Sequence, residues 1–211
     1  STSAGWYYHS IDAKTVIGAP DEYWADYPGF AVDEEAVYIT NNMFRFITDA
    51  FGGVRLWIVH KGIVGGFYGG AAATVTIHNP YTVGGSVATT TQPAHVFGAG
   101  GVPGGPPAIG TFLVSSGLTD GLFEYVQVLR VDDPLGAPVF TLGFISVGDI
   151  DDMLVGLPDA PQSGTATLVE VNDRKALNAV WRSGTLWLTT TILPNSGSDL
   201  GQTTAHWFKL S

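Results

Sequence analysis

Three segments of this chain end an apolar run in small hydroxyl or amide side chains: VYITNN at 37–42, TFLVSS at 111–116 and TLWLTTT at 185–191. Aligning Ile39, Leu113 and Leu188 places them 74 and 75 residues apart. Each is preceded by a shorter apolar segment: FAV (30–32), HVF (95–97) and NAVW (178–181). Each is followed by a longer one: VRLWIVHK (54–61), EYVQVLRV (124–131) and TAHWFKL (204–210). Runs of β-branched and aromatic residues bounded by turn residues are strand signals. A fixed period restricts the fold more than any other feature, because each unit must stack on the next to bury its second face.

Strand meanders at constant spacing suggest radial repetition, the β-propeller solution to exposed sheet edges. A fourth strand fits ATVTIHN (73–79) in the first unit and VFTLGFISVG (139–148) in the second. The expected fold is all-β: one domain over 1–211, a partial β-propeller of about three four-stranded blades at 24–80, 92–148 and 160–211. The stretch GAGGVPGGPPAIG (98–110) reads as a loop between blade strands, since Pro lacks a ladder donor and Gly lacks a packing side chain. The alternative is a β-sandwich or jelly roll, which gives no reason for the regular spacing. The pattern of WYYHSID (6–12) is close to that of HWFKLS (206–211), so the chain is expected to enter and leave in mid-blade. Three blades do not close a ring. A second polypeptide or a second copy completing the ring is therefore the expected partner.

Composition excludes several function classes. The net charge is −10 with only 9 Lys and Arg, the opposite of the clustered positive charge that phosphate backbones require. Without cysteine, disulfides and thiolate metal sites are ruled out. No apolar run reaches the ~18 residues of a membrane span. The start STSAGWYYHS lacks Met and fits a processed N-terminus. With Gly, Thr and Trp abundant and charge low, an extracellular or cell-surface location is expected.

The segments WADYPGFAVDEEAVYITNNMF (24–44) and LWIVHK (56–61), then DAPQSGT (159–165), NDRKALNAVWRSGTLWLTTT (172–191) and AHWFKL (205–210), carry a resemblance. They resemble uncharacterised bacterial secreted β-propeller proteins, loosely grouped with sialidase-like propellers. The resemblance implies a propeller fold and secretion. It does not imply sialidase activity, because the Ser-x-Asp-x-Gly-x-Thr-Trp box is missing and SGTLW (183–187) matches it only superficially.

In a propeller, residues at the start of each innermost strand converge near the axis. Here they are Asp26 and Tyr27, Gln92 and His95, and Asp173 and Arg174. Two carboxylates, an imidazole and a guanidinium brought together suit acid–base chemistry or a polar ligand. Asp26 and Asp173 also suit turns, where Asp accepts backbone N–H bonds. Asp149, Asp151 and Asp152 in VGDIDDMLVG (147–156) are a weak candidate for Ca2+ through hard oxygen ligands. They lack the EF-hand spacing, and a solvated turn is the competing reading. No other cofactor is expected. The five histidines have no metal-ligand spacing, GGSVA (84–88) is no nucleophile elbow, and the glycine runs lack the Lys-Ser/Thr of a phosphate loop.

The segment NAVWRSGTLWLTTTI (178–192) reads as a hairpin turning at Ser183-Gly184. Trp181 and Trp187 are both expected to be buried, and Trp57 and Trp207 to pack between blades. Among the N-terminal aromatics, Trp6, Tyr7, Tyr8, Tyr23, Trp24 and Tyr27, any exposed members suit stacking on sugar rings. The expected function is an extracellular binding or structural module with carbohydrate as candidate ligand. The alternative is a glycan-processing hydrolase or lyase using Asp26, His95, Asp173 and Arg174.

Overall fold

Each strand signal in the three repeats becomes a strand, most of them longer than the apolar run that marks it. The computed structural model describes residues 5–13, 22–62, 66–79, 90–97, 110–119, 123–151, 156–172 and 174–211, with backbone alone at 117–119 and 123. The first repeat gives β1 (Tyr23–Val32), β2 (Ala36–Arg45), β3 (Phe51–His60) and β4 (Val75–His78). The second gives β5 (Gln92–Phe97), β6 (Thr111–Thr119), β7 (Phe123–Asp132) and β8 (Val139–Gly148). The third gives β9 (Asn178–Arg182), β10 (Thr185–Ile192) and β11 (Thr204–Leu210). The third repeat thus shows three strands among the described residues, not four. The Gly/Pro-rich stretch at 98–109 lies outside the described residues.

The chain is nearly all β. Its strands form one sheet in the order β1-β2-β3-β4 and another in the order β11-β10-β9-β5-β6-β7-β8. Consecutive strands within a repeat are antiparallel. β5 divides its pairing: Gln92 and Pro93 pair with β6, then Ala94 to Phe97 run parallel to β9. Pro93 sits at the changeover, where the missing N–H costs no ladder bond.

Period-two alternation sends the middle repeat's side chains into two cores. Phe112, Val114, Val126 and Val128 meet Trp181, Leu186 and Leu188 of the third repeat. The intervening Leu113, with Leu129 and Val131, meets Tyr38, Leu56 and Ile58 of the first. The middle meander is therefore covered on both faces by its neighbours, and each buried Leu, Val or Phe contributes roughly 1.5–3 kcal/mol. The sheet carrying β5 to β8 curls into a half-barrel, an arrangement consistent with a partial propeller and with a β-sandwich alike.

Asp33, between β1 and β2, ties the first core together. Its carboxylate accepts from Glu35 N and Ala36 N at 2.9 and 2.7 Å, from Tyr38 Oη at 2.6 Å and from Gly110 N at 2.7 Å. Burial first, and then the Asp33 charge, pushes the Tyr38 hydroxyl well above its ordinary pKa, so it stays a donor.

The β9–β10 hairpin forms as its sequence indicates. Ser183 and Gly184 both take left-handed conformations, φ 51° and 77°, as a two-residue primed turn requires. Trp181 is 9% exposed, and its ring is tilted against that of Phe112 with the centroids 4.9 Å apart. The expectation for Trp187 and Trp207 is overturned: they are 38% and 61% exposed. In β10 the core face belongs to Leu186 and Leu188, so alternation turns Trp187 outward. Phe208 and Leu210 take the core side of β11 and turn Trp207 outward likewise.

Candidate functional site

β1 and β9 both lie against β5, and Gly29 lets β1 do so. A Cβ at Gly29 would stand 2.4 Å from Thr40 Oγ1 and 2.7 Å from Pro93 Cδ, so only glycine permits this approach. Farther along, Val32 N donates to His95 Nδ1 at 3.3 Å. Ala94 pairs with Ala179 in the parallel ladder. Read back along these registers, Thr90 and Lys175, which precede β5 and β9, reach the level of Tyr27 within β1. The Lys175 ammonium lies 5.4 Å from the centre of the Tyr27 ring.

The small polar side chains that marked the repeats lock this end together. Thr40 Oγ1 donates to Thr91 O at 2.6 Å, linking the first repeat to the second. Asn42 Nδ2 donates to Thr90 Oγ1 at 3.0 Å, and Thr90 N donates to Asn42 Oδ1 at 2.8 Å. Ser116 and Thr190 hydroxyls meet at 3.3 Å between the second and third. Most of this layer is buried. Its role is therefore to satisfy polar groups between sheets, as buried polar atoms must be.

The residues expected at the mouth divide into groups. Tyr27 sits half-buried at an irregularity of β1, with the register shifting between Asp26 and Gly29, and the Lys175 ammonium lies over its ring. Gln92 is buried beside Gly29. Asp26 is exposed. His95 is not at this end: it lies three residues beyond Gln92, ~10 Å along the strand at ~3.3 Å per residue. Asp173 lies outside the described residues. Arg174 is turned into a buried ion pair, its Nε donating to Asp151 Oδ1 at 2.8 Å and its Nη2 reaching the same oxygen. Sequence reasoning missed Lys175, although it adjoins Arg174.

The Ca2+ candidates adjoin the Arg174 pair. Asp151 Oδ2 accepts from Leu193 N at 2.7 Å, so both its oxygens are engaged within the protein. Asp149 Oδ1 accepts from Asn195 Nδ2 at 2.6 Å. Asp152 lies outside the described residues. Among the described residues no group of three or more His, Cys, Asp or Glu is arranged to hold a metal. Asp149 and Asp151 anchor the segment after β8 to the end of β10. Beside them Glu124 is buried and accepts from Ile150 N at 2.7 Å. Burial chiefly, with the Asp149 and Asp151 charges, raises its pKa above the ordinary glutamate value.

A second surface lies on the outward face of β9, β10 and β11. Pairing sets it out as a grid. Arg182 faces Thr185, Val180 and Lys209 flank Trp187, and Asn178 and Trp207 flank Thr189. The two indole rings stand 5.4 Å apart at 33°. The Lys209 ammonium lies 5.4 Å from the centre of the Trp187 ring. Across β9 the face continues to β5, where His95 pairs with Val180 and Phe97 with Arg182. Phe97 is exposed, and its ring adjoins His95, which in turn meets exposed Phe30.

No protein-family model matches this chain, and neither do any curated proteins or solved structures. Its chemistry has to be read from its own side chains. Aromatic rings presented side by side among hydroxyl, amide and cationic groups suit a ligand with apolar faces and polar edges. Among the described residues no helix is long and apolar enough to cross a membrane.

Proposed function

We propose that this chain is an extracellular or cell-surface binding module, with polysaccharide as its ligand. The observation that carries this reading is the exposed Trp187–Trp207 pair on the outward face of β10 and the edge strand β11. A pyranose has an apolar C–H face that stacks on indole and a rim of hydroxyls. Thr189, Asn178 and Lys209 are exposed around the rings to meet that rim. The alternative of a glycan-processing hydrolase or lyase loses support, because Arg174 is held by Asp151. The resemblance to bacterial secreted propellers and the low charge content support the location.

The test is affinity electrophoresis of the full chain through gels containing a panel of neutral and acidic polysaccharides. Retardation by at least one polymer, lost in Trp207→Ala, is expected. Unretarded migration through every gel would overturn the reading.

We also propose that a second polypeptide or a second copy pairs with the chain, and β8 is the place for it. This strand ends the seven-stranded sheet, and its sequence VFTLGFISVG carries no charge. Val139, Phe144 and Ile145 are exposed along it. A long, uncharged edge is a template for strand addition.

A further inference from the structure

The outward face of β9 to β11 presents two cations beside its indoles and no carboxylate. The chain carries 19 acidic and 9 basic residues. β5, β9, β10 and β11 contain no Asp or Glu, as β2, β3, β4, β6 and β8 do not, and the charges presented beside the indoles are Arg182 and Lys209. Lys209 stands directly opposite Trp187, a cross-strand spacing of ~5 Å, and Arg182 lies diagonal to it at ~7–8 Å. Both are exposed. Neither is needed to neutralise a carboxylate on these strands.

The face also differs from those that other sheets cover. The middle repeat buries Phe112, Val114, Val126 and Val128 on one side and Leu113, Leu129 and Val131 on the other; the polar side chains buried with them are Thr111, Ser115, Glu124, Gln127 and Asp132, and no Lys or Arg of this repeat is buried. The outward face of β9 to β11 mixes its two indoles with Thr185, Thr189, Asn178, Arg182 and Lys209. Another apolar sheet packed here would bury a guanidinium and an ammonium without partners, at a cost of several kcal/mol each. A ligand that brings its own negative charge and its own hydroxyls incurs no such cost.

We infer that this face binds an acidic polysaccharide, one whose pyranose rings carry carboxylates, as uronic acids do. This rests on the glycan-binding reading above and names the ligand class. Trp207 offers the open ring for stacking. Lys209, held over Trp187, and Arg182 receive the carboxylates of adjacent sugars, the guanidinium through paired N–H bonds. From β11 to β5 the face crosses four strands, ~14 Å at ~4.8 Å per spacing, with Phe97 as the far aromatic.

The experiment compares polygalacturonate with its fully methyl-esterified form and with a neutral glucan, by calorimetry on the full chain. The acid polymer is expected to bind about tenfold more tightly than the ester. That preference should shrink as salt rises to about 0.5 M, where screening is short-ranged. Arg182→Gln and Lys209→Gln should each erode the preference by weakening acid binding more than ester binding, and Trp207→Ala should abolish binding of both. Unfolding midpoints of the three variants confirm that they fold. Equal affinity for acid and ester overturns the inference while leaving the glycan reading in place. Binding of none of the three polymers, or a self-association lost in Trp207→Ala, overturns both.

Discussion

Asn42 and Thr90 exchange two hydrogen bonds, side chain to hydroxyl at 3.0 Å and backbone N–H to side chain at 2.8 Å. Thr90 is a β-branched residue in the left-handed region, φ 53°, a conformation that costs about 1–3 kcal/mol unless its surroundings hold it. Asn42→Ala removes the hold and strands a buried N–H. The expected loss is about 2–3 kcal/mol, read from the urea midpoint. Thr90→Gly relieves the backbone and should cost less than Asn42→Ala.

The two tryptophans of the β9–β10 hairpin should respond differently to truncation. Trp181→Ala opens the core beside Phe112 and is expected to cost about 3–5 kcal/mol. Trp187→Ala removes a ring that is already 38% exposed and should cost under about 2 kcal/mol. Equal midpoint shifts in denaturant would show that the outward face is packed after all.

Arg174 and Asp151 are 5% and 1% exposed in their side chains. Arg174→Met leaves a buried carboxylate without its cation, and a loss of about 3–5 kcal/mol is expected. Combining it with Asp151→Asn should recover much of that, since the amide oxygen can still accept from Leu193 N. A double variant no more stable than Arg174→Met alone contradicts the pairing.

Glu124 makes stability depend on pH. Its folded pKa is raised, chiefly by burial, so the native state holds this proton more tightly than the unfolded state does. The cost of the buried charge is present above the folded pKa and vanishes as pH falls below the ordinary glutamate range, about 4.3. Glu124→Gln keeps an acceptor for Ile150 N and should stabilise the fold at neutral pH. That advantage should fade towards about pH 4. An advantage that grows on acidification would reverse the sign argued here.

Strand addition at β8 should be visible as mass. The chain is 22.2 kDa, and light scattering of the purified chain is expected to show a larger particle. Ile145→Lys places a charge on the exposed edge strand and should return the particle to the single-chain mass. A single-chain mass already in the unaltered protein refutes self-pairing.

Strand positions were legible because period-two alternation and turn residues are local. VFTLGFISVG and TAHWFKL match β8 and β11 residue for residue. The same alternation in TLWLTTT already told that Leu186 and Leu188 share a face from which Trp187 is excluded. Treating every strand tryptophan as core obscured it. The mouth was less legible. Tyr27 and Lys175 meet because β5 lies against β1 and pairs in parallel with β9, a long-range register that no local pattern encodes. Arg174 and Asp151, assigned to separate sites, proved to be partners for the same reason.

The divided pairing of β5 has a kinetic consequence. Pro93 joins β6 across one Gly/Pro-rich stretch of sequence, whereas Ala94 must find Ala179 after the whole of β6 to β8 has passed. Closing the longer loop is entropically dearer and slower. The first two meanders therefore have a local route to their shared core of Tyr38, Leu56 and Leu129, and the β9–β11 unit docks last. Until it does, Phe112, Val114 and Val128 stand open to water, which makes the interval before docking the period of greatest aggregation hazard for the nascent chain.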